Sequence, residues 1–282
     1  MAIVTKETEQ KAYLKKESIM RAITHIELYR DTDLFPYLKE YSILFRDKEK
    51  LVDELAKIDL GNYIWQPYRR FIIPKDDVSY RVSIQLDPID NILFEAVVFE
   101  YGNLIESTRI PQSENVVFSN RFAPNDEGQL YSKKDAWKNY WIGIMHKASS
   151  YPYAVYVDIA DFYNRIYHHT LENQMMECGF ENQIIKAIKK LLQNTTQTVS
   201  QGIPVGPHAS HLFAEMYLIP LDEGLRLKGF DFYRYVDDIF IFAESKVQAK
   251  LIIYEMAKVL DSLKLKLRSL KRAINLENSI NP

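Results

Sequence analysis

The sequence predicts an α+β fold in which helices back an antiparallel sheet, and three stretches indicate it. Residues 234–242 are β-branched and aromatic except for two adjacent acids, a composition typical of two strands joined by a turn. Residues 153–163 form a second apolar run that contains acids near its end. Residues 1–59 have mixed charge, few helix breakers and apolar residues at helical spacing, as at Ile19 and Ile23.

Length and composition place the chain among globular proteins. Its 282 residues are 47% hydrophobic and 26% charged, which allows one large domain or two modest ones. The net charge of −2 does not by itself indicate nucleic-acid binding. Net charge is a sum, however, in which acids at a metal site can cancel the positive charge of basic grooves. A single cysteine, Cys178, excludes an internal disulfide and fits a reducing cytoplasm. Because no apolar run reaches membrane-spanning length and no signal-peptide core follows Met1, we expect a cytoplasmic protein without a membrane partner.

The first hundred residues change from helical to extended. The helical segment 1–59 should break at residues 31–33, with Pro36 opening the next helix. Residues 69–86 then read as a hairpin with Lys75 and Arg81 on its two arms. Two cations beside a turn suit a triphosphate, since arginine binds phosphate bidentately and lysine acts as a point charge. Exposed hairpin cations without that role are the alternative.

The rest of the chain alternates helical patterns with loops. Residues 200–210 hold two glycines and two prolines before a helix, which favours a rigid loop whose N–H groups can approach a ligand closely. The loop lacks the Gly-Lys-Ser/Thr ending of a Walker loop. Residues 101–150 form a connector rich in turn formers. Further helices are predicted at residues 91–100 behind an Asp87-Pro88 cap, from 133 to about 146, at 182–193 and at 246–263, with a final strand at 263–270.

The acids are the strongest chemical signal. Side chains alternate along a strand, so Asp237 and Asp238 stay near one site only if a tight turn carries them. Asp158 ends the other acidic strand and would meet Asp237 if the two strands are neighbours. Three carboxylates could then hold two Mg²⁺ or Mn²⁺ ions, the apparatus of nucleotidyl transfer. The alternative is that these acids are ordinary strand-end and turn residues.

Taken together, these stretches resemble the reverse transcriptases over residues 66–272. Tyr235-Val236-Asp237-Asp238 resembles the hallmark hairpin of that family, and Asp158 with Tyr163 resembles its first catalytic strand and aromatic steric gate. The loop at 201–207 is similar to the one under the template and the incoming nucleotide, and 267–271 is similar to a late segment of the palm. The resemblance implies the fingers and palm of a right-hand polymerase, and an RNA-directed DNA polymerase activity.

The resemblance also implies residue roles. Asp158, Asp237 and Asp238, with the carbonyl of Ile159, would bind Mg²⁺, with Mn²⁺ as the substitute. Lys271 would be the general acid, although Arg268 stands where the family has asparagine. The dNTP substrate would be held by the following residues: Lys75, Arg81, Tyr163, Gln201 and Gly202.

The Gly-Ile-Pro-Val-Gly-Pro and Ser-Asn-Arg-Phe patterns most resemble the bacterial abortive-infection and "unknown group" enzymes of antiphage defence. That likeness implies a non-coding RNA template and a DNA product. The chain ends about ten residues after the late lysine, so we expect the thumb to be absent from this chain, its grip coming from a structured RNA or a homo-oligomer neighbour, unless the chain is truncated. The expected domains are a helical segment (1–59), fingers with an insertion (60–150) and a palm (151–282), with 171–198 contributing to the fingers.

Other functions stay open at this point. An RNA-dependent RNA polymerase has related palm architecture but usually carries glycine where Val236 stands and a polar residue in place of the aromatic gate. A nucleic-acid-binding scaffold with a vestigial palm is a third possibility. A zinc site built on His168-His169 or on His208 and His211 is disfavoured, because the chain has one cysteine and no partnered ligand set.

Overall fold

The computed structural model describes residues 11–32, 34–75, 77–132, 135–268 and 272–275. Its strands are β1 (Arg69–Pro74), β2 (Tyr80–Gln85), β3 (Tyr153–Asp158), β4 (Asp231–Tyr235), β5 (Asp238–Ala243) and β6 (Arg272–Asn275). Its helices are α1 (Lys16–Tyr29), α2 (Lys39–Leu44), α3 (Lys48–Leu55), α4 (Pro88–Thr108), α5 (Ala136–Ala148), α6 (Phe162–Arg165), α7 (His168–Glu177), α8 (Asn182–Thr195), α9 (Ala209–Tyr217), α10 (Ile219–Leu227) and α11 (Lys246–Ser262). The predicted α+β fold is confirmed.

The larger sheet has four antiparallel strands in the order β4-β5-β3-β6, and β1 and β2 form a separate two-stranded sheet. β4 and β5 are the predicted acidic hairpin, and their register pairs Tyr235 with Asp238. β3 lies next to β5, with Asp158 paired to Asp238. The expectation that the two acidic strands are neighbours is therefore confirmed.

Helix α4 is the central helix of the fold, because most of its surface is apolar and buried. It begins at Pro88 and not at residue 91, since the carboxylate of Asp87 accepts a hydrogen bond from the Ile89 N–H and proline suits the first helical position. Helices α1 and α9 pack against it. Among the described helices, none combines the length and the apolar character needed to cross a membrane.

Two local predictions were wrong. The second helix begins at Lys39, three residues after Pro36, because residues 36–38 are not helical and Leu38, directly before the helix, has an extended backbone. Residues 263–270 were expected to form a strand, but the described part, 263–268, makes only one isolated bridge, from Leu267 to Ile159. The Leu-Lys alternation there follows the end of α11, where Lys264 turns the chain with a positive φ of 61°.

The glycine-rich loop packs backbone against backbone on β2. The Ile84 N–H donates to the Val205 carbonyl at 2.8 Å. Gly206 has a φ of 146°, and a Cβ there would lie 2.5 Å from the Ile84 carbonyl oxygen. Only glycine permits that approach, so the loop joins the two-stranded sheet to α9 at a fixed distance.

Glu95 makes the fold sensitive to pH. It is fully buried on α4, where its carboxylate accepts a hydrogen bond from the Ala209 N–H at 2.7 Å. Burial raises the pKa of Glu95 to about 7, against the opposing effect of His208. Between the ordinary value of 4.5 and about 7, the folded protein holds a proton that the unfolded chain releases. The free energy of unfolding therefore falls as pH rises through this window.

We expect Glu95→Gln to flatten that profile, since glutamine can still accept the Ala209 hydrogen bond and has no charge to bury. Relative to the variant, the free energy of unfolding of the wild type should fall by on the order of 1–3 kcal/mol between about pH 5 and pH 8. Urea unfolding across this range measures the difference, with Glu54→Gln, at an exposed position of α3, as the matched control. Parallel profiles for wild type and Glu95→Gln would contradict the prediction.

Candidate active site

A cleft of about 1090 Å³ opens between the two sheets, and the predicted acids and cations both line it. Asp158 and Asp237 lie on the side of the larger sheet, and Lys75 and Arg81 come from the hairpin of β1 and β2. Both cations are exposed, with Arg81 in β2 and Lys75 directly after β1. The fold thus brings together two groups of opposite charge from distant parts of the chain.

Asp158 and Asp237 meet because a two-residue turn joins β4 to β5. Val236 and Asp237 form that turn, and the Asp237 carbonyl accepts a hydrogen bond from the Ile159 N–H at 3.3 Å. Asp158 is only 5% exposed, and the carboxyl groups of Asp158 and Asp237 are close enough to share a hydrogen bond. Burial, followed by the nearby Asp238 and Asp158, raises the pKa of Asp237 to about 6.

Asp238 has a different environment. Its carboxylate accepts a hydrogen bond from the Tyr156 hydroxyl, and its carbonyl accepts one from Tyr140 at 3.1 Å. In the part of the chain that the structure describes, no three side chains of His, Cys, Asp or Glu lie close enough to hold a metal ion. Of the three expected carboxylates, Asp158 and Asp237 lie together as a close pair, whereas Asp238 accepts its hydrogen bond from Tyr156. The reason is that Asp237 lies in the turn while Asp238 begins a strand, and successive side chains diverge.

The close pair fits a divalent cation. Two carboxylates held close together repel each other when both are ionised, and a cation between them removes that cost. Their oxygen ligands suit Mg²⁺ or Mn²⁺ better than zinc. Ile159 lines the same cleft, next to Asp158. Arg268, whose guanidinium lies 3.7 Å from Asp158 and whose N–H donates to the Asp158 carbonyl, supplies a nearby positive charge.

Tyr163 also lies in the cleft, on the short helix α6 that follows β3. Its hydroxyl is 2.7 Å from Nδ1 of His211, and its carbonyl accepts a hydrogen bond from the Ile203 N–H at 3.0 Å. The first contact fixes the ring, and the second joins the backbone of Tyr163 to the glycine-rich loop. His208, the histidine paired with His211 in the disfavoured zinc site, directly precedes α9, and its Nδ1 lies 2.9 Å from Nε2 of His25.

The structure does not bring Gln201 and Gly202 into this cleft. They line a neighbouring cavity of about 200 Å³ together with Tyr68 and Arg70. The Gly202 N–H donates to the Ile166 carbonyl at 2.8 Å, which holds this end of the loop against the start of α7. Val205 and Gly206, later in the same loop, line the main cleft instead. Lys271 lies outside the described residues.

Sequence reasoning did not assign three residues of this cleft. Arg268 belongs to a basic cluster at 264–272, so its charge was visible but its contact with Asp158 was not. His211 was considered only as a zinc ligand. Trp137 lines the cleft and packs edge-on against Tyr235, with ring centroids 4.9 Å apart. The connector before β3 gave no compositional signal for that contact.

Comparisons with known proteins identify the family of the chain. The family described as "Reverse transcriptase (RNA-dependent DNA polymerase)" matches residues 73–279. Among solved structures, the chain is similar to a telomerase from Candida albicans in complex with a fragment of telomeric RNA, at 11% identity and a TM-score of 0.48. That similarity covers 76% of this chain and 42% of the telomerase chain. No curated protein sequence matches. The family match spans most of the chain and includes the cleft acids, and we conclude that this protein belongs to the reverse transcriptase family.

Proposed function

We propose that the protein is an RNA-directed DNA polymerase that adds deoxynucleotides to a growing DNA strand. One observation carries the proposal: the carboxyl groups of Asp158 and Asp237 meet in a cleft that Lys75 and Arg81 also line. Nucleotidyl transfer needs close carboxylates for divalent cations and positive charge for a triphosphate. The family membership of the chain supports the same activity.

The cleft residues have separate roles in this reaction. Asp158 and Asp237 bind the cations, with the Ile159 carbonyl as a further oxygen ligand and Asp238 in a secondary role. Bound Mg²⁺ would lower the pKa of the attacking 3′-hydroxyl and neutralise charge on the departing pyrophosphate. Lys75 and Arg81 orient the triphosphate.

The remaining roles are assigned by resemblance. Lys271 donates a proton to the leaving group, and Gln201 and Gly202 contact the nascent base pair from the adjoining cavity.

We further propose the following domains and biological role. The two-stranded sheet belongs to fingers formed by residues 60–150, with 171–198 contributing, and the four-stranded sheet belongs to a palm at 151–282. Residues 1–59 form a helical segment, of which α1 packs on α4. The template is a non-coding RNA and the setting is bacterial antiphage defence in the cytoplasm, both proposed from the likeness of the Gly-Ile-Pro-Val-Gly-Pro loop and the Ser-Asn-Arg-Phe pattern.

The activity is tested by primer extension on an RNA template, with Mg²⁺ and with labelled dNTPs or NTPs. Incorporation of dNTPs supports the proposal, and incorporation of NTPs alone would identify an RNA-dependent RNA polymerase. No incorporation with either substrate would favour a binding scaffold with a vestigial palm. Sequencing the nucleic acid that co-purifies with the protein would identify its template and product, and would test the non-coding RNA directly.

Tyr163 should select the sugar. Its ring is fixed in the cleft by His211, where it would pack under the sugar and clash with a 2′-hydroxyl. We expect Tyr163→Val to reduce the preference for dNTPs over NTPs on the order of 10- to 100-fold, measured as the ratio of kcat/KM values. Tyr163→Phe is the control, because it keeps the ring and should keep most of the discrimination. Unchanged discrimination in Tyr163→Val would refute this role.

A further inference from the structure

The turn that carries Asp237 contains a residue in an unfavourable backbone conformation. Val236 has a φ of 54°, in the left-handed region that β-branched residues rarely adopt. Such a conformation persists only where surrounding contacts hold it. Because Asp237 is the next residue, the conformation of Val236 sets the direction in which the carboxylate of Asp237 leaves the turn.

Both polar backbone groups of Val236 are held by side chains. Its N–H donates to the hydroxyl oxygen of Ser119 at 2.8 Å, and its carbonyl accepts from Nη1 of Arg234 at 2.9 Å. Ser119 and Arg234 are both 0% exposed, so water does not compete for these hydrogen bonds. Two clamps therefore hold the turn: the hydrogen bond from the Val236 N–H to Ser119 and the hydrogen bond from Arg234 to the Val236 carbonyl.

Glu215 of α9 joins the two clamps. The Ser119 hydroxyl donates to Oε1 of Glu215 at 2.5 Å, and Nη1 of Arg234 lies 2.9 Å from Oε2. Arg109 adds a further ion pair to Oε2 at 3.0 Å. Burial would raise the pKa of Glu215, but Arg234, Arg109 and the Ser119 hydroxyl outweigh it and hold the pKa below its usual value. Glu215 is therefore an ionised anchor with no exposed surface.

The backbone before Ser119 explains how that residue reaches the turn. The Phe118 N–H donates to the Arg234 carbonyl at 3.0 Å, and the Arg234 N–H donates to the Val116 carbonyl at 2.9 Å. Residues 116–118 therefore run beside β4 through a parallel bridge at Val117. This places the next residue, Ser119, at the end of β4 where the turn begins.

We propose that Ser119, Arg234 and Glu215 are positioning residues that hold Val236 in its left-handed conformation and thereby keep the carboxylate of Asp237 against Asp158. The proposal rests on the proposed function insofar as Asp237 is the group that binds the cation. It assigns a role to the connector before β3, because that connector supplies Ser119, which bonds to both Glu215 and the Val236 N–H.

A double-mutant cycle tests whether Ser119 acts by holding the strained conformation of Val236. Ser119→Ala removes the clamp on the Val236 N–H and should weaken Mn²⁺ binding by about tenfold, with a similar fall in kcat and a smaller change in the KM for dNTP. Glycine adopts a positive φ without strain, so Val236→Gly should remove most of the need for the clamp. In that background, we expect Ser119→Ala to weaken Mn²⁺ binding by no more than about threefold.

The controls separate positioning from general damage. Ser83→Ala truncates another fully buried serine, in β2, and should leave Mn²⁺ affinity and kcat within about twofold of the wild type. Ser119→Thr keeps the hydroxyl and should recover most of the lost affinity. Equal losses from Ser119→Ala in the two backgrounds, or a loss no larger than that of Ser83→Ala, would overturn the proposal. Mn²⁺ affinity, read by electron paramagnetic resonance, does not require polymerase activity, so failure of the proposed function would be seen separately.

Discussion

Replacing Asp237 with asparagine should abolish nucleotide addition, lowering the rate by about 10³-fold or more. The amide keeps the size of the side chain but removes one of two carboxylates that lie close enough to share a hydrogen bond. A cation bound by the remaining acid alone would be weakly held, and its stabilisation of the transition state is worth several kcal/mol, at about 1.4 kcal/mol for each tenfold change in rate. Single-turnover extension with saturating Mg²⁺ and dNTP measures the loss.

The fold should survive this substitution. Asp237 lies near two other acids, so removing its charge relieves repulsion, and the melting temperature in the presence of a chelator should be equal to or higher than that of the wild type. Asp161→Asn is the matched control, because Asp161 is an exposed acid that lines the same cleft. It removes the same formal charge but should keep most of the activity. Comparable losses in the two variants would mean that Asp237 acts only through the general negative field of the cleft.

Asp158→Asn should lower the rate of nucleotide addition as much as Asp237→Asn does, because the two carboxylates act as one unit. For the same reason, the double variant should be little worse than either single one. Additive losses would indicate that the two acids bind separate groups.

The parts of this site that sequence could predict were those fixed by local pattern. The β-branched and aromatic composition of residues 234–242, interrupted by two acids, predicts the acidic hairpin, and the apolar run before Asp158 predicts a partner strand for it. Placing both acids at strand ends that share an edge then follows from antiparallel pairing. The hairpin that carries Lys75 and Arg81 was found in the same way, from two strand patterns around a polar turn.

The parts that sequence could not predict depend on contacts between distant residues. Asp238 was grouped with Asp237 because the two are adjacent, but its partner is Tyr156, which is 82 residues away. The contact of Ser119 with Glu215 spans 96 residues and leaves no periodic pattern. Gln201 and Gly202 lie in a separate cavity because hydrogen bonds to distant backbone, as from Gly202 to Ile166, decide which way the loop faces.

Replacing Arg234 with methionine should have the largest effect on stability. Arg234 is fully buried, and it makes a bidentate pair with Asp222 at 2.7 and 2.5 Å as well as its pair with Glu215. Methionine would leave two buried carboxylates facing one fewer cation. Removing one partner of a buried ion pair typically costs about 3–5 kcal/mol, a large share of the 5–15 kcal/mol that stabilises a folded domain. We therefore expect the melting temperature to fall by about 10 °C.

A second substitution should recover part of that loss. Arg234→Met with Asp222→Leu removes a complete ion pair, while Arg109 still faces Glu215 and Arg121 still faces Glu106. Because the buried charges are again balanced, the double variant should unfold at a higher denaturant concentration than Arg234→Met alone. Arg226→Met removes an arginine that pairs with Glu114 and Glu223 on the surface, and it should change the midpoint far less. If Arg234→Met were as stable as Arg226→Met, the buried network would not be a main support of the hairpin that carries Asp237.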